Sequence, residues 1–292
     1  MKKSFYRYQE IKKCLLFKRY IFVCLLFLIP STFIFSQTKR ALVIGLGEQL
    51  DPSWGKINGD KDVLYILDML NKAGYTNIST IINSQATKEG IVSAFNKLVK
   101  ESKTGDIIYI HFSGHGQRVT DVDGDEDDGL DESWIPYDAY QKYCRKDHGE
   151  KHLIDDEVNL LLTNIYYKVG RKGKILVVVD ACHSGDSALG VEETVRGVSS
   201  LFEIPSKRIS HASKQKEHWL TLCACRNFQF NQELKNPQVG ILSYALYKMV
   251  GNGTINMGEI EKFVERNRGA YPQTPVLTGE TDIFSISDFF TR

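Results

Sequence analysis

Residues 106–116 read DIIYIHFSGHG and residues 174–185 read KILVVVDACHSG. Each is an unbroken apolar run, rich in β-branched residues, that ends in glycine and a reactive side chain. Such runs, without polar alternation, suit strands buried on both faces, which helices must then cover. Outward from these two the same rhythm continues. Strands are expected at Ala41–Leu46, Ile78–Ile82 and Trp219–Cys225, with helices near Val63–Leu70, Glu89–Val99, Asp155–Val169, Ile241–Val250 and Glu259–Arg266. A short closing strand is expected at Asp282–Ile286. The alternation predicts an α/β fold with a mostly parallel central sheet flanked by helices.

Two stretches interrupt the rhythm, each after one of the two quoted strands. Residues 118–151 carry the acidic run VTDVDGDEDDGLDES, and residues 189–217 form a polar loop with Arg196, Lys207, Arg208, Lys214 and Lys216. Long loops in a compact domain are commonly functional or mobile.

The N-terminus differs from the rest. Residues 1–36 pair a basic start, ending in Lys18-Arg19, with the apolar run YIFVCLLFLIPSTFIF at 20–35. This pattern predicts a signal peptide or an N-terminal membrane anchor, and so an exported body that is periplasmic, secreted or membrane-tethered. Of the 292 residues, 37 are basic and 36 acidic; the leader holds seven of the former and one of the latter, which leaves residues 37–292 with a charge of −5. A mildly acidic body excludes the basic stripe of a nucleic-acid binder. Four cysteines outside the leader (Cys144, Cys182, Cys223, Cys225) are too few for a disulfide scaffold.

In open parallel sheets the ligand crevice lies at the carboxyl ends of the strands. The two quoted stretches bring His115 and Cys182 to that rim. An imidazole within reach of a thiol can take its proton, leave a thiolate to attack a carbonyl, and return the proton to a leaving amine. The amides of Gly116 and Cys182 are candidates for stabilising the oxyanion that develops. A single histidine or cysteine at a strand end is commonly structural; two at neighbouring strand ends, each with glycine beside it, point to acyl transfer. His183 is adjacent to Cys182 but points elsewhere on a turn, and His111 falls within its strand as a core residue.

The segments YIHFSGHG and VVVDACHSG, with DGDEDDGLDE, LIDDEV and QTP at matching intervals, resemble the metacaspases and their caspase-like bacterial relatives over about Arg40 to Phe290. The resemblance implies a caspase-like three-layer sandwich. Within residues 37–292 it implies a large-subunit-like part at 37–188, a linker at 189–217 and a small-subunit-like part at 218–292. It further implies a cysteine endopeptidase, often monomeric, that uses His115 and Cys182 and cuts peptides or proteins after Arg or Lys.

By that similarity Asp62, Ser113 and Asp180 form the acidic pocket for the basic side chain, although INGDKD is one residue shorter than the family pattern before Asp62. Ca²⁺ as an activator is expected at Asp131, Asp155 and Asp156, with no fourth ligand evident. Asp155 or Asp156 is equally suited to begin a helix. A chain that cuts after basic residues would find its own loop 189–217 a ready target. The competing readings are a catalytically silent, binding or regulatory pseudoprotease and a clostripain- or asparaginyl-type endopeptidase.

Overall fold

The structure is a computed structural model that describes residues 37–124, 126, 128–182, 195–197, 200–205 and 216–291. The expectations placed on residues 1–36, on His183 and on Lys207, Arg208 and Lys214 lie outside them. No helix of the described residues is long and apolar enough to cross a membrane.

Five strands run parallel in one sheet: β1 (Lys39–Gly45), β2 (Asn77–Ile82), β3 (Ile107–Ser113), β7 (Lys174–Asp180) and β8 (Leu220–Cys223). A sixth, β11 (Val276–Gly279), closes the β8 edge antiparallel, so that the order is β11-β8-β7-β3-β1-β2. Alternation along each strand divides the core in two. Val43, Tyr109 and Val178 face α1 (Gly59–Lys72), α4 (Ile241–Asn252) and α5 (Met257–Asn267). Leu42, Ile110 and Val177 face α2 (Lys88–Glu101) and α3 (Asp155–Val169). Helices cover both faces because the strands are apolar on both. The expected three-layer α/β architecture is present.

The helices begin where local chemistry allows. Thr87 Oγ1 accepts from Gly90 N at 3.0 Å to start α2, and Asn256 Oδ1 accepts from Glu259 N at 3.0 Å to start α5. Gly253, in the left-handed region at φ 69°, ends α4.

The expected closing strand at Asp282–Ile286 is not one. Residues 282–283 complete a turn, and 284–285 lead without regular structure into a short 3₁₀ helix at Ile286–Phe289, whose Ile286 and Phe289 anchor in the core. The closing strand is instead β11, six residues earlier. Its sequence, VLTG, is short and only half-buried, and so lacked the apolar signal of the inner strands. The acidic stretch also holds structure that its composition concealed. A side sheet of β4 (Gly116–Thr120), β5 (Leu130–Trp134) and β6 (Leu153–Ile154) is built there, and a hairpin of β9 (Glu233–Lys235) and β10 (Gln238–Gly240) follows β8.

For function the register matters most. Gly45 pairs with Ser113, and Ser113 with Asp180, so the ends of β1, β3 and β7 form one row. The chain goes from β1 to β2 on one side and to β3 and β7 on the other. The row therefore spans a topological switch point, where a crevice opens.

Candidate active site

His115 leaves this row just after β3. Its Nε2 lies 2.7 Å from the carbonyl oxygen of Gly55. A carbonyl can only accept, so Nε2 carries the proton and Nδ1 keeps its lone pair. Nδ1 is buried without a hydrogen-bond partner, and the Trp54 ring lies against the imidazole with centroids 5.1 Å apart. Burial pulls the His115 pKa down to about 4, the positive charge of Arg196 acting in the same direction. The ring is thus a neutral base with a free nitrogen.

Cys182 follows β7 and is fully buried. Its thiol donates to the Gln229 carbonyl at 2.9 Å, and the Cys225 thiol shares that acceptor at 3.4 Å. Cys225 thus lies beside the nucleophile candidate. Hydrogen bonding with the Cys182 side chain, and then burial, raise the Cys225 pKa.

The pocket next to Cys182 is filled by the chain itself. Arg196, from the loop 189–217, has a fully buried side chain. Its Nη1 donates to Asp62 Oδ2 at 2.6 Å and Ser113 Oγ at 2.9 Å and lies 3.4 Å from Asp180 Oδ1. Its Nε and Nη2 each lie 3.0 Å from Glu233 Oε1. Burial alone would lower the Arg196 pKa, but the three carboxylates outweigh it and hold the guanidinium charged.

The acids are themselves held in place. Ser113 Oγ donates to Asp62 Oδ2 at 2.5 Å, and the Gly240 amide donates to Asp62 Oδ1 at 2.9 Å. Asp180 accepts from the Asn231 side chain at 2.6 Å and from the amide and hydroxyl of Ser243 at 2.8 and 2.5 Å. Burial raises the Asp62 pKa against the pull of Arg196, whereas Arg196, Ser243 and Asn231 overcome burial at Asp180 and lower it. Asp62, Ser113 and Asp180 thus meet at one cation, the chain's own Arg196.

Four further contributors gave no sequence signal. They are Glu233, the Gly55 carbonyl that orients His115, Ser243 beneath Asp180, and Gly240. A Cβ at Gly240 would lie 2.3 Å from Asp180 Oδ2 and 2.6 Å from Arg196 Nη1, so glycine leaves the space that the guanidinium fills. His111 is buried as expected but not inert. It joins Tyr109 OH at 2.9 Å to Ser243 Oγ at 3.1 Å, and so underpins the pocket floor.

The backbone of Arg196 is seated too. Its amide donates to Asn231 O at 2.9 Å, Val195 bridges antiparallel to Gln232, and its carbonyl oxygen accepts from the Cys182 amide at 2.8 Å. Gly197 bridges parallel to Gly116. The Arg196–Gly197 peptide bond thereby lies between the residue following His115 and Cys182. A side chain in a charged pocket, a backbone paired as an added strand and a carbonyl on the Cys182 amide are the contacts by which a groove holds an extended peptide.

A family model described as "Metacaspase, peptidase C14 domain" matches residues 39–189. The chain belongs to this family of cysteine peptidases. Metacaspase-1A of Aspergillus oryzae is 33% identical over 160 residues, covering 51% of this chain and 35% of that protein. Metacaspase-1A of Aspergillus terreus is 38% identical over 159 residues, covering 51% and 36%. The match therefore spans about a third of these relatives' length. Among solved structures, a Geobacter sulfurreducens protein superposes with a TM-score of 0.61 at 23% identity, over 87% of this chain and 97% of that one. Caspase-1 of Spodoptera frugiperda superposes with a TM-score of 0.56 at 12% identity, over 84% and 89%. Both likenesses concern the fold.

In this family member the acidic stretch forms a second cluster of carboxylates. Ligand oxygens of Asp121, Asp123 and Asp131 lie within 4.8 Å of one another. One oxygen each of Asp123, Asp131 and Asp155 is buried without a hydrogen-bond partner. Burial, then Asp155 and Asp121, raise the Asp131 pKa to about 8; burial, then Glu132 and Asp156, raise that of Asp155 to about 7. Of the three residues expected to hold a cation, Asp131 lies inside the cluster, while Asp155 and Asp156 act on it electrostatically. Asp121 and Asp123 join it through the side sheet. The oxygens of Asp123, Asp131 and Asp155 that lack a partner are hard donors of the kind that suits Ca²⁺.

Proposed function

We propose that this protein is an endopeptidase that cuts after Arg or Lys and that its own Arg196–Gly197 bond is a substrate. The single observation carrying this reading is the seating of Arg196, with its guanidinium among Asp62, Asp180 and Glu233 and its carbonyl on the Cys182 amide.

His115 Nδ1 takes the Cys182 proton, and the sulfur attacks the Arg196 carbonyl carbon. The Cys182 amide, with Gly116 as the second candidate donor, holds the oxyanion. The C–N bond to Gly197 breaks as His115 returns the proton to the departing amine. Water activated by the same imidazole then hydrolyses the thioester and frees the carboxylate of Arg196. Until the loop leaves, Arg196 blocks the pocket, so the intact chain is inhibited by its own segment.

Calcium at Asp121, Asp123 and Asp131, with Asp155 and Asp156 beside them, is part of the same proposal. Support comes from the unpartnered oxygens and from mutual repulsion that a cation would remove. Export through residues 1–36 and a monomeric enzyme complete the reading.

The test is mass spectrometry of the purified chain with calcium or chelator under reducing conditions, together with internally quenched peptides cut after Arg, Lys, Asn or Asp. The expected result is a new N-terminus at Gly197 in the wild type, its absence in Cys182→Ala and Arg196→Gln, and turnover of Arg and Lys peptides. Turnover after Asn or Asp instead would overturn the pocket assignment. A folded protein that cuts nothing would support the silent, peptide-binding alternative.

A further inference from the structure

The seated segment also records what must follow the cut. A Cβ built on Gly197 would lie 2.6 Å from the carbonyl oxygen of Cys182, 3.0 Å from its Cβ and 3.2 Å from its carbonyl carbon. None of these is the yielding end of a long side chain; two are backbone of the nucleophilic residue. The Gly197 backbone is not in the left-handed region, so glycine is required there for space and not for conformational freedom.

Described residues on both sides of Gly197 are anchored. Upstream, Arg196 is fixed by its pocket, by Asn231 and by the Cys182 amide. Downstream, the buried Phe202 is tied to β4, its amide donating to Arg118 O at 2.9 Å and its carbonyl accepting from Thr120 N at 3.1 Å. On its other side Gly197 is bridged to Gly116. A larger residue after the cut must therefore push the Arg196 carbonyl off the Cys182 amide, or push Cys182 itself.

We infer that the site selects peptide bonds in which glycine directly follows the basic residue, so that its substrates are proteins carrying an accessible Arg-Gly or Lys-Gly step. This selectivity rests on the proposed function and sharpens it. The basic pocket supplies binding, whereas the residue after the cut is judged at the reacting atoms. Discrimination should therefore appear in turnover more than in KM.

The experiment uses internally quenched peptides that share Val-Arg before the cut and carry Gly, Ala, Ser or Leu after it, assayed with the purified chain. In parallel, self-cleavage of the wild type is timed against that of Gly197→Ala. The expected result is that Gly exceeds Ala by roughly ten- to two-hundredfold in kcat/KM, with most of the difference in kcat, and that Gly197→Ala slows self-cleavage by a similar factor. Arg peptides cut at equal rates whatever follows would overturn this inference and leave the basic pocket standing. Cleavage after residues other than Arg or Lys would overturn the proposed function instead. Should no peptide be turned over, the two self-cleavage rates decide, equal rates counting against the inference. Absence of every cut overturns both.

Discussion

Two groups of buried carboxylates lie within this domain, and they are opposites. In the pocket, Asp62, Asp180 and Glu233 surround a guanidinium that the chain itself provides, and serine and asparagine side chains share the load. In the acidic loop, Asp121, Asp123 and Asp131 converge with no such cation among the described residues, and buried oxygens are left over. The physical demand is the same in both, because a buried anion is costly unless it is paired or coordinated. One region meets the demand from within, through Arg196. In the other, burial and mutual repulsion push the Asp131 and Asp155 pKa values up to about 8 and about 7.

If that contrast is right, removing the cation from the pocket should do the most damage. Arg196→Met in a Cys182→Ala background, which prevents self-cleavage, should lower stability by about 3–5 kcal/mol, read from urea unfolding, because it leaves buried carboxylates unpaired. A change below about 0.5 kcal/mol would mean that the pocket does not depend on its plug. Removing one anion of the pocket tests recognition. Asp180→Asn should cut kcat/KM for Arg peptides roughly ten- to hundredfold through loss of about 1.5–3 kcal/mol of charge-assisted hydrogen bonding. Equal activity would assign the basic preference to Asp62 and Glu233 alone.

The same change in the other region should have the opposite sign. Asp131→Asn removes repulsion, so the calcium-free protein should gain about 1 kcal/mol while losing any calcium-induced rise in melting temperature. A loss of stability without calcium would place Asp131 among the paired carboxylates instead.

The smallest effect is in pH. With pKa values raised above the unfolded carboxylate, Asp131 and Asp155 contribute stability at low pH that is lost as pH rises toward about 8. His111 and His115, lowered to about 4, and His152, lowered to about 3, act in reverse; their contribution is complete above the unfolded histidine pKa of 6.5 and is lost as pH falls. Between pH 6.5 and 8 the raised carboxyls of Asp131 and Asp155 are still losing their protons, while the contributions of His111, His115 and His152 are already complete. In chelator the melting temperature should therefore fall across that window, and calcium should flatten the decline. A melting temperature that rises there in chelator would contradict the raised carboxyl pKa values.

Much of this was legible in the chain before folding. The runs at 107–110 and 175–179 announced doubly buried strands because they hold no charged residue and are dominated by isoleucine and valine. Their ends therefore carried His115 and Cys182 to one rim, and register then placed Ser113 opposite Asp180. The weakly apolar β11 was misplaced because an edge strand needs only one covered face, and its pattern is too short to read. The side sheet was missed for a related reason, since the aspartates that dominate its loop obscured β4 and β5.

What the linear chain determined by itself is the layered fold, the two strand ends and the acids nearest to them, because burial periodicity and local turn chemistry are short-range properties. It could not decide which of the loop's basic residues enters the pocket. Nor could it decide that Glu233, the Gly55 carbonyl and Gly240 complete the site. Asn58 lies 175 residues from the Glu233 carboxylate that its amide contacts at 2.7 Å, and Arg196 lies 134 residues from Asp62. Contacts over such separations leave no local pattern. They exist only once packing brings distant backbones within hydrogen-bonding reach, and the tertiary structure alone makes that selection.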